Sequence, residues 1–410
     1  MSAGGTAIPR LQDLSYFEVV ITKLLQGATF EQVRRVLVDR ARDLDRESDL
    51  DGSFDAAKWE RRRNDSTEHV NNAVDVLKEA MRLGWVERCV LPSTPNSAYL
   101  HTADVYDLLP AGRVWAELAV ADRRAAYSAL AGVLMDAHPQ MGGFLKAVGA
   151  RPDSRAPAFT IPLLRWDLTR HSSEDLYLDD LVDVVTAAAA AGSLGWTSCA
   201  EDIDSTIRSY VERTRARRTA RGKIQPRKEF LKTCEESITK VAFAASGTKL
   251  DYISMELLRR WSRFLGVANF SYYAPGPYAL RLWATGTVTG SGSNVTISRQ
   301  IGAEIRRKAL QTLFEVWQER RTSASAAMYV PVWELRAAVC WRLRIADSEW
   351  DKSIRELLHG DHADLPYRVH LDQASLGPVP ASTSPLVLTS SSGHRRIFNV
   401  MTIIPSKENR

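Results

Sequence analysis

The sequence predicts a helix-rich α+β protein made of several small domains. Three observations lead there. At 410 residues the chain exceeds one domain, since about 100–200 residues per domain is usual. Its apolar share of 45% and charged share of 25% are those of soluble chains that bury ordinary cores. Finally, an apolar-faced helix followed by strand, turn and strand recurs at 66–118, 229–287 and 329–404.

Leu14 to Leu25 sets Phe17, Val20, Ile21, Leu24 and Leu25 at helical spacing, which marks one buried face. Thr29 reads as the N-cap of a second helix with Val33, Val36 and Leu37 inward, its hydroxyl accepting an otherwise orphaned backbone N–H. Asp43 to Asp65 is polar and contains Arg61-Arg62-Arg63 near its end. These arginines either lie beside a phosphate backbone or belong to a solvated charged loop. From Ser66 or Thr67, the residues Val70, Ala73, Val74, Leu77, Ala80 and Met81 form another helical face, and Gly84 suits the left-handed position that closes such a helix. Trp85 to Leu91 and Tyr99 to Tyr106 carry strand formers around the turn Ser93 to Ser97, a hairpin pattern. Pro110 fits the first turn of the next helix, where its missing N–H costs nothing. That helix runs on past Leu134, with Ala119 to Asp122 as its weak point and Pro139 and Gly142-Gly143 as its end.

Arg151 to Pro157 reads as a linker and Phe159 to Trp166 as a strand. Leu176 to Ala191 reads as a helix whose Asp179, Asp180 and Asp183 form a solvated face; no His or Glu stands beside them to complete a metal site. Ile203 to Lys232 is the most basic stretch. It holds ten Lys and Arg from Arg208 to Lys232, including Arg213, Arg215, Arg217, Arg218, Arg221, Lys223, Arg227 and Lys228. Concentrated charge of this kind is the footprint of an element that tracks phosphates; a solvated helix and loop is the alternative. Beyond it, Leu250, Ile253, Leu257, Leu258, Trp261 and Leu265 form a helix closed by Gly266, with Arg259, Arg260 and Arg263 on or near its outer face. Two strands follow around Pro275-Gly276-Pro277, and Gly286 to Ser298 is a connector or hairpin tip. Ile301 to Arg321 reads as a strong helix. Val332 to Arg342 and a helix capped by Asp347 precede a strand at Tyr367 to Leu371 and a closing hairpin of Pro385 to Leu388 with Arg396 to Ile404.

The helix after Ser66, the long hairpin and the helix that starts at Leu108-Leu109-Pro110-Ala111-Gly112-Arg113 together resemble the winged helix-turn-helix superfamily. The resemblance covers roughly the first third of the chain. It implies duplex-DNA binding, with the helix after Ser66 in the major groove and the turn at Ser93 to Ser97 as the wing. Many such domains bind protein instead, because fold does not fix function. On the presumed groove helix, Asn71 and Asn72 are the candidates for base contact, since Asn reads adenine bidentately. Glu68 and Asp75 on the same helix repel phosphates and favour a partner or dimer surface. The expected layout is tandem winged-helix domains: 1–150 with a long terminal helix, a helical and basic connector at 151–228, a second unit at 229–298, and a helix with a third unit at 299–410.

No catalytic constellation stands out. The chain lacks a GxxxxGK[ST] phosphate loop, a GxGxxG turn, an HExxH pair, any [DE]-x-K triplet and any HxK pair. Cys89, Cys199, Cys234 and Cys340 are scattered, which indicates neither zinc nor a disulfide framework. His359-Gly360-Asp361-His362 reads as a solvated turn before a metal site. No cofactor is called for. There is no run long and apolar enough for a membrane span and no signal-peptide pattern, so the expected place is the cytoplasm. The formal charge of +5 permits nucleic-acid binding without requiring it. The expected function is non-catalytic duplex-DNA binding, either as the recognition subunit of a larger bacterial machine (phage defence or genome maintenance) or as a transcription regulator. The alternative is a scaffold or homodimer that holds protein partners through the same surfaces.

Overall fold

Among the described residues, apolar positions three and four apart become helices where the sequence places them; the helix expected from Leu176 to Ala191 lies outside the described residues. The computed structural model describes residues 11, 13–48, 55–63, 67–89, 104–149, 159–162, 236, 239, 243, 248–271, 279–290, 296–299, 302–323, 329–359, 365, 367–373, 386–389 and 395–405. The chain divides into two compact units, Met1–Pro139 and Gln140–Arg410. The fold is helix-rich α+β with small antiparallel sheets.

The first unit runs α1 (Ser15–Lys23), β1 (Ala28–Thr29), α2 (Phe30–Ser48), α3 (Ala56–Arg63), α4 (Thr67–Arg82), β2 (Val86–Cys89), β3 (Val105–Leu108), α5 (Pro110–Ala121) and α6 (Arg123–Ala137). Thr29 caps α2 reciprocally. Its hydroxyl accepts the Gln32 N–H at 3.3 Å while Gln32 Oε1 accepts the Thr29 N–H at 2.8 Å, which satisfies two donors at once. Gly84, at φ +67°, ends α4; the N–H groups of Gly84 and Trp85 return to Met81 O at 3.0 Å and Ala80 O at 2.9 Å. The chain thus turns sharply into β2. The core gathers Phe17, Trp85 and Trp115, with ring centroids 5.3–5.9 Å apart, and the Trp115 indole donates to Ala126 O at 2.7 Å. Gly112 is needed here, because a Cβ would stand 2.3 Å from Trp85 O. That steric demand is the reason for the Pro-Ala-Gly-Arg sequence at the head of α5.

The long helix after Pro110 is not continuous. Asp122 leaves helical geometry, and its carboxylate accepts the N–H groups of Arg124 and Ala125 to start α6. The helix ends at Ala137, just ahead of Pro139 as expected, but Pro139 and Gly142-Gly143 do not leave the chain without helix. They belong to α7 (Pro139–Ala147), since a first-turn proline sacrifices no hydrogen bond. Within the second unit Gly143 packs on Thr248, whose Cγ2 lies 2.9 Å from where a Cβ would stand.

The second unit continues with β4 (Phe159–Pro162), α8 (Tyr252–Phe264), β5 (Ala268–Ser271), β6 (Ala279–Ala284), and the hairpin of β7 (Gly286–Thr289) and β8 (Thr296–Arg299). Then come α9 (Ala303–Ser323), β9 (Val330–Pro331), α10 (Val332–Leu343), α11 (Asp347–His359), β10 (Tyr367–Asp372), β11 (Leu386–Thr389), β12 (Arg395–Phe398) and β13 (Val400–Pro405). The expected closing strand from Arg396 to Ile404 is in fact two. β12 pairs with β11, whereas β13 pairs with β10 and β9. Trp283, Leu313, Trp317, Leu335, Val339, Trp350, Ile354 and Met401 share one apolar core.

The three-stranded sheets share one topology. Their orders are β1-β3-β2, β4-β6-β5 and β9-β13-β10, so in each the last strand in sequence lies between the other two. The corners that feed β2 and β5 also match. Gly266, at φ +66°, ends α8 as Gly84 ends α4. The N–H groups of Gly266 and Val267 return to Arg263 O at 3.0 Å and Ser262 O at 2.9 Å. The residue after each central strand then closes the corner: Leu109 N–H on Trp85 O, and Thr285 N–H on Val267 O.

Candidate nucleic-acid interface

The helices that lead into these hairpins are the natural places to look for a binding face. On α4, Ala73, Val76, Leu77 and Ala80 are buried, Asn71 and Lys78 are exposed, and Asn72 is half-buried. The next turn is committed to the unit's interior. Glu79 is buried against His138 at 2.9 Å and Arg82 at 2.6 Å, and Arg82 also donates to Ala137 O at 3.0 Å. Burial works against the Glu79 charge, but the His138 and Arg82 hydrogen bonds outweigh it and hold the carboxyl below its ordinary value. Arg61, Arg62 and Arg63 end α3, just ahead of α4; their side chains lie outside the described residues. So do Arg208, Arg213, Arg215, Arg217, Arg218, Arg221, Lys223, Arg227 and Lys228, the turn at Ser93 to Ser97, and the turn at Gly360 to His362.

On α8 the outcome differs from the expectation. Arg259 does not lie on the outer face: it is only 6% exposed. Its guanidinium pairs with Glu256 at 2.5 Å and stacks on the Phe270 ring at 4.0 Å. Arg263 pairs with Asp347 at 2.5 Å and approaches the same ring at 4.7 Å. Phe270, one strand away, offers a flat face to two cations, and that attraction draws both inward. Arg260 alone of the three points outward, 4.0 Å from Glu256.

Asp347 anchors a polar cluster that joins α8 and β5 to α10 and α11. Asn269 Nδ2 donates to Asp347 Oδ1 at 2.8 Å and to Ile345 O at 3.3 Å, and the Trp283 indole donates to the same carbonyl at 3.2 Å. Arg336, nearly buried, pairs with Asp351 at 3.3 Å. Burial alone would raise the Asp347 carboxyl. The Arg263 and Arg336 charges and the Asn269 bond overcome it and hold the group at about 2. At Asp351 burial prevails over Arg336, and that carboxyl is raised.

A set of residues missed from sequence emerges on α11. Trp350 and Ile354 are fully buried, and Ser348, Lys352 and Arg355 are exposed on the opposite side. The sequence of this helix, DSEWDKSIRELLH, carries more acids than bases, so composition gave no signal. The third acid to be paired is Glu356, which Arg306 of α9 holds at 2.6 Å.

Among the described residues no group of three or more His, Cys, Asp or Glu is placed to hold a metal ion, and no helix is long and apolar enough to cross a membrane. Cys340 is buried, which pushes its thiol up. Compared with known proteins, the chain matches no family model, no curated protein and no solved structure.

Proposed function

We propose that the protein binds duplex DNA through tandem winged-helix units and the basic segment from Arg208 to Lys232. We assign it a non-catalytic, cytoplasmic role, as the DNA-recognition subunit of a larger bacterial machine or as a transcription regulator. The observation that carries the reading is the repeated topology: three sheets with the last strand central, two of them entered through the same glycine corner. A helix followed by such a hairpin is the arrangement the winged-helix resemblance implies. The ten Lys and Arg between Arg208 and Lys232 add the sequence-independent attraction to phosphate that DNA binding needs.

A random-sequence duplex titrated with salt tests this directly. Affinity is expected to fall steeply as salt rises, and absence of binding at low salt refutes the reading. Reversing Arg215, Arg217 and Arg218 to Glu should weaken binding and reduce the log–log salt slope by about 3 if all three touch phosphates.

One observation favours a second reading, a scaffold or homodimer. Val114 and Val120 on α5 are 66% and 73% exposed, two apolar side chains on one helix that a protein partner would cover.

A further inference from the structure

We infer that the outer face of α11 is a principal docking surface for duplex DNA, with Lys352 and Arg355 on phosphates or guanine edges and Ser348 beside them. This rests on the DNA-binding reading above and names the helix that performs it. The argument is one of charge left over after folding. Three of the four carboxylates of α11 are drawn off by arginines from three other helices: Asp347 by Arg263 of α8, Asp351 by Arg336 of α10, and Glu356 by Arg306 of α9. The fourth, Glu349, is half-buried. Lys352 and Arg355 are exposed; neither forms a close ion pair among the described residues, and Arg355 feels only the attraction of the buried Asp351, which Arg336 already holds. At positions i, i+4 and i+7, Ser348, Lys352 and Arg355 fall on one helical stripe, opposite buried Trp350 and Ile354.

The corresponding faces of the other two helices are poorer. The stripe on α4 alternates Asn71 and Lys78 with Asp75, and its last member, Arg82, is tied to Glu79 and Ala137. The stripe on α8 is Glu256, Arg260 and Arg263, of which Glu256 and Arg263 are paired. A helix that presents Ser, Lys and Arg without a free carboxylate suits the phosphate-walled major groove, whose width admits an α-helix. An apolar protein surface would fit the two cations less well, because nothing apolar is exposed between them.

The test compares the full chain with Lys352→Glu/Arg355→Glu and, as a control of equal charge change, Arg113→Glu/Lys146→Glu, on a random-sequence duplex over a salt series. Circular dichroism checks that each variant is folded. Lys352→Gln/Arg355→Gln serves as a milder second variant. Loss of two phosphate contacts is expected to weaken binding about thirty-fold at 0.15 M salt and to lower the salt slope by about 2, with the control at least tenfold less affected. If the unaltered chain binds and both α11 variants match it, or if the control falls as far, the assignment to α11 is overturned while DNA binding stands. If the unaltered chain fails to bind at low salt, both are overturned.

Discussion

Replacing Asp347 with Asn removes the charge at the centre of the cluster that ties α8 and β5 to α10 and α11, and keeps the side-chain volume. The carboxyl lies at about 2 against an ordinary 3.8. At roughly 1.4 kcal/mol per pKa unit, that displacement corresponds to about 2.5 kcal/mol of folding stability at neutral pH. Breaking a fully buried pair from one side costs about 3–5 kcal/mol. The smaller figure is appropriate here, because the Asp347 side chain keeps 20% of its exposure and Asn can still accept the Asn269 hydrogen bond. The neighbouring Asp351 is also relieved of a like charge. The pH dependence follows from the direction of the displacement. A carboxyl whose folded pKa lies below its unfolded one stabilises fully above the unfolded value, and the stabilisation disappears as pH falls through the folded one. Urea unfolding of the two proteins should therefore differ by about 2.5 kcal/mol at pH 7 and pH 5, and by about half as much near pH 3. Tryptophan fluorescence is a suitable signal, since the Trp283 indole hydrogen-bonds Ile345 O within the cluster. A gap that is the same at pH 3 and pH 7, or no gap at pH 7, refutes the reasoning.

Two further substitutions probe the first unit. Gly112→Ala forces a Cβ to within 2.3 Å of Trp85 O, so α5 must shift off the Trp85–Trp115 contact. The expected loss is about 1–3 kcal/mol, and an unchanged thermal midpoint would contradict the close approach. Glu79→Ala leaves His138 and Arg82 facing a buried gap, with an expected cost of about 3 kcal/mol. Because Glu79 is held below the ordinary carboxyl value, the difference from the unaltered chain should narrow as pH falls through the carboxyl range; a pH-independent difference would argue against the ion pairing.

Much of the fold was legible because its signals are local. The apolar spacing of Phe17, Val20 and Ile21, or of Ala73, Leu77 and Ala80, fixes which helix face is buried whatever that face packs on. Gly84, Gly266 and Pro110 mark corners through backbone preferences that need no distant partner. Thr29 and Gln32 cap α2 within a single turn. The misreadings at Gly142-Gly143 and at Arg396 to Ile404 have the opposite cause. Whether a glycine pair breaks a helix, and which strand a β segment joins, depends on the chain that packs beside it. β4 joins β6 from a segment more than a hundred residues away, beyond the reach of periodicity.

The candidate site divides in the same way. The sequence determined where basic residues lie, including Arg259 and Arg263 on α8 and Lys352 and Arg355 on α11. Only the tertiary structure decided which of those charges remain available. Phe270 and Glu256 draw Arg259 inward, and Arg263 goes to Asp347, 84 residues further on. The Arg263–Asp347 pair, with Arg336–Asp351 and Arg306–Glu356, offsets the acidic character of α11. The physical reason is that a charge count is additive along the chain, whereas the field on a surface depends on which opposite charges the fold brings within a few ångströms.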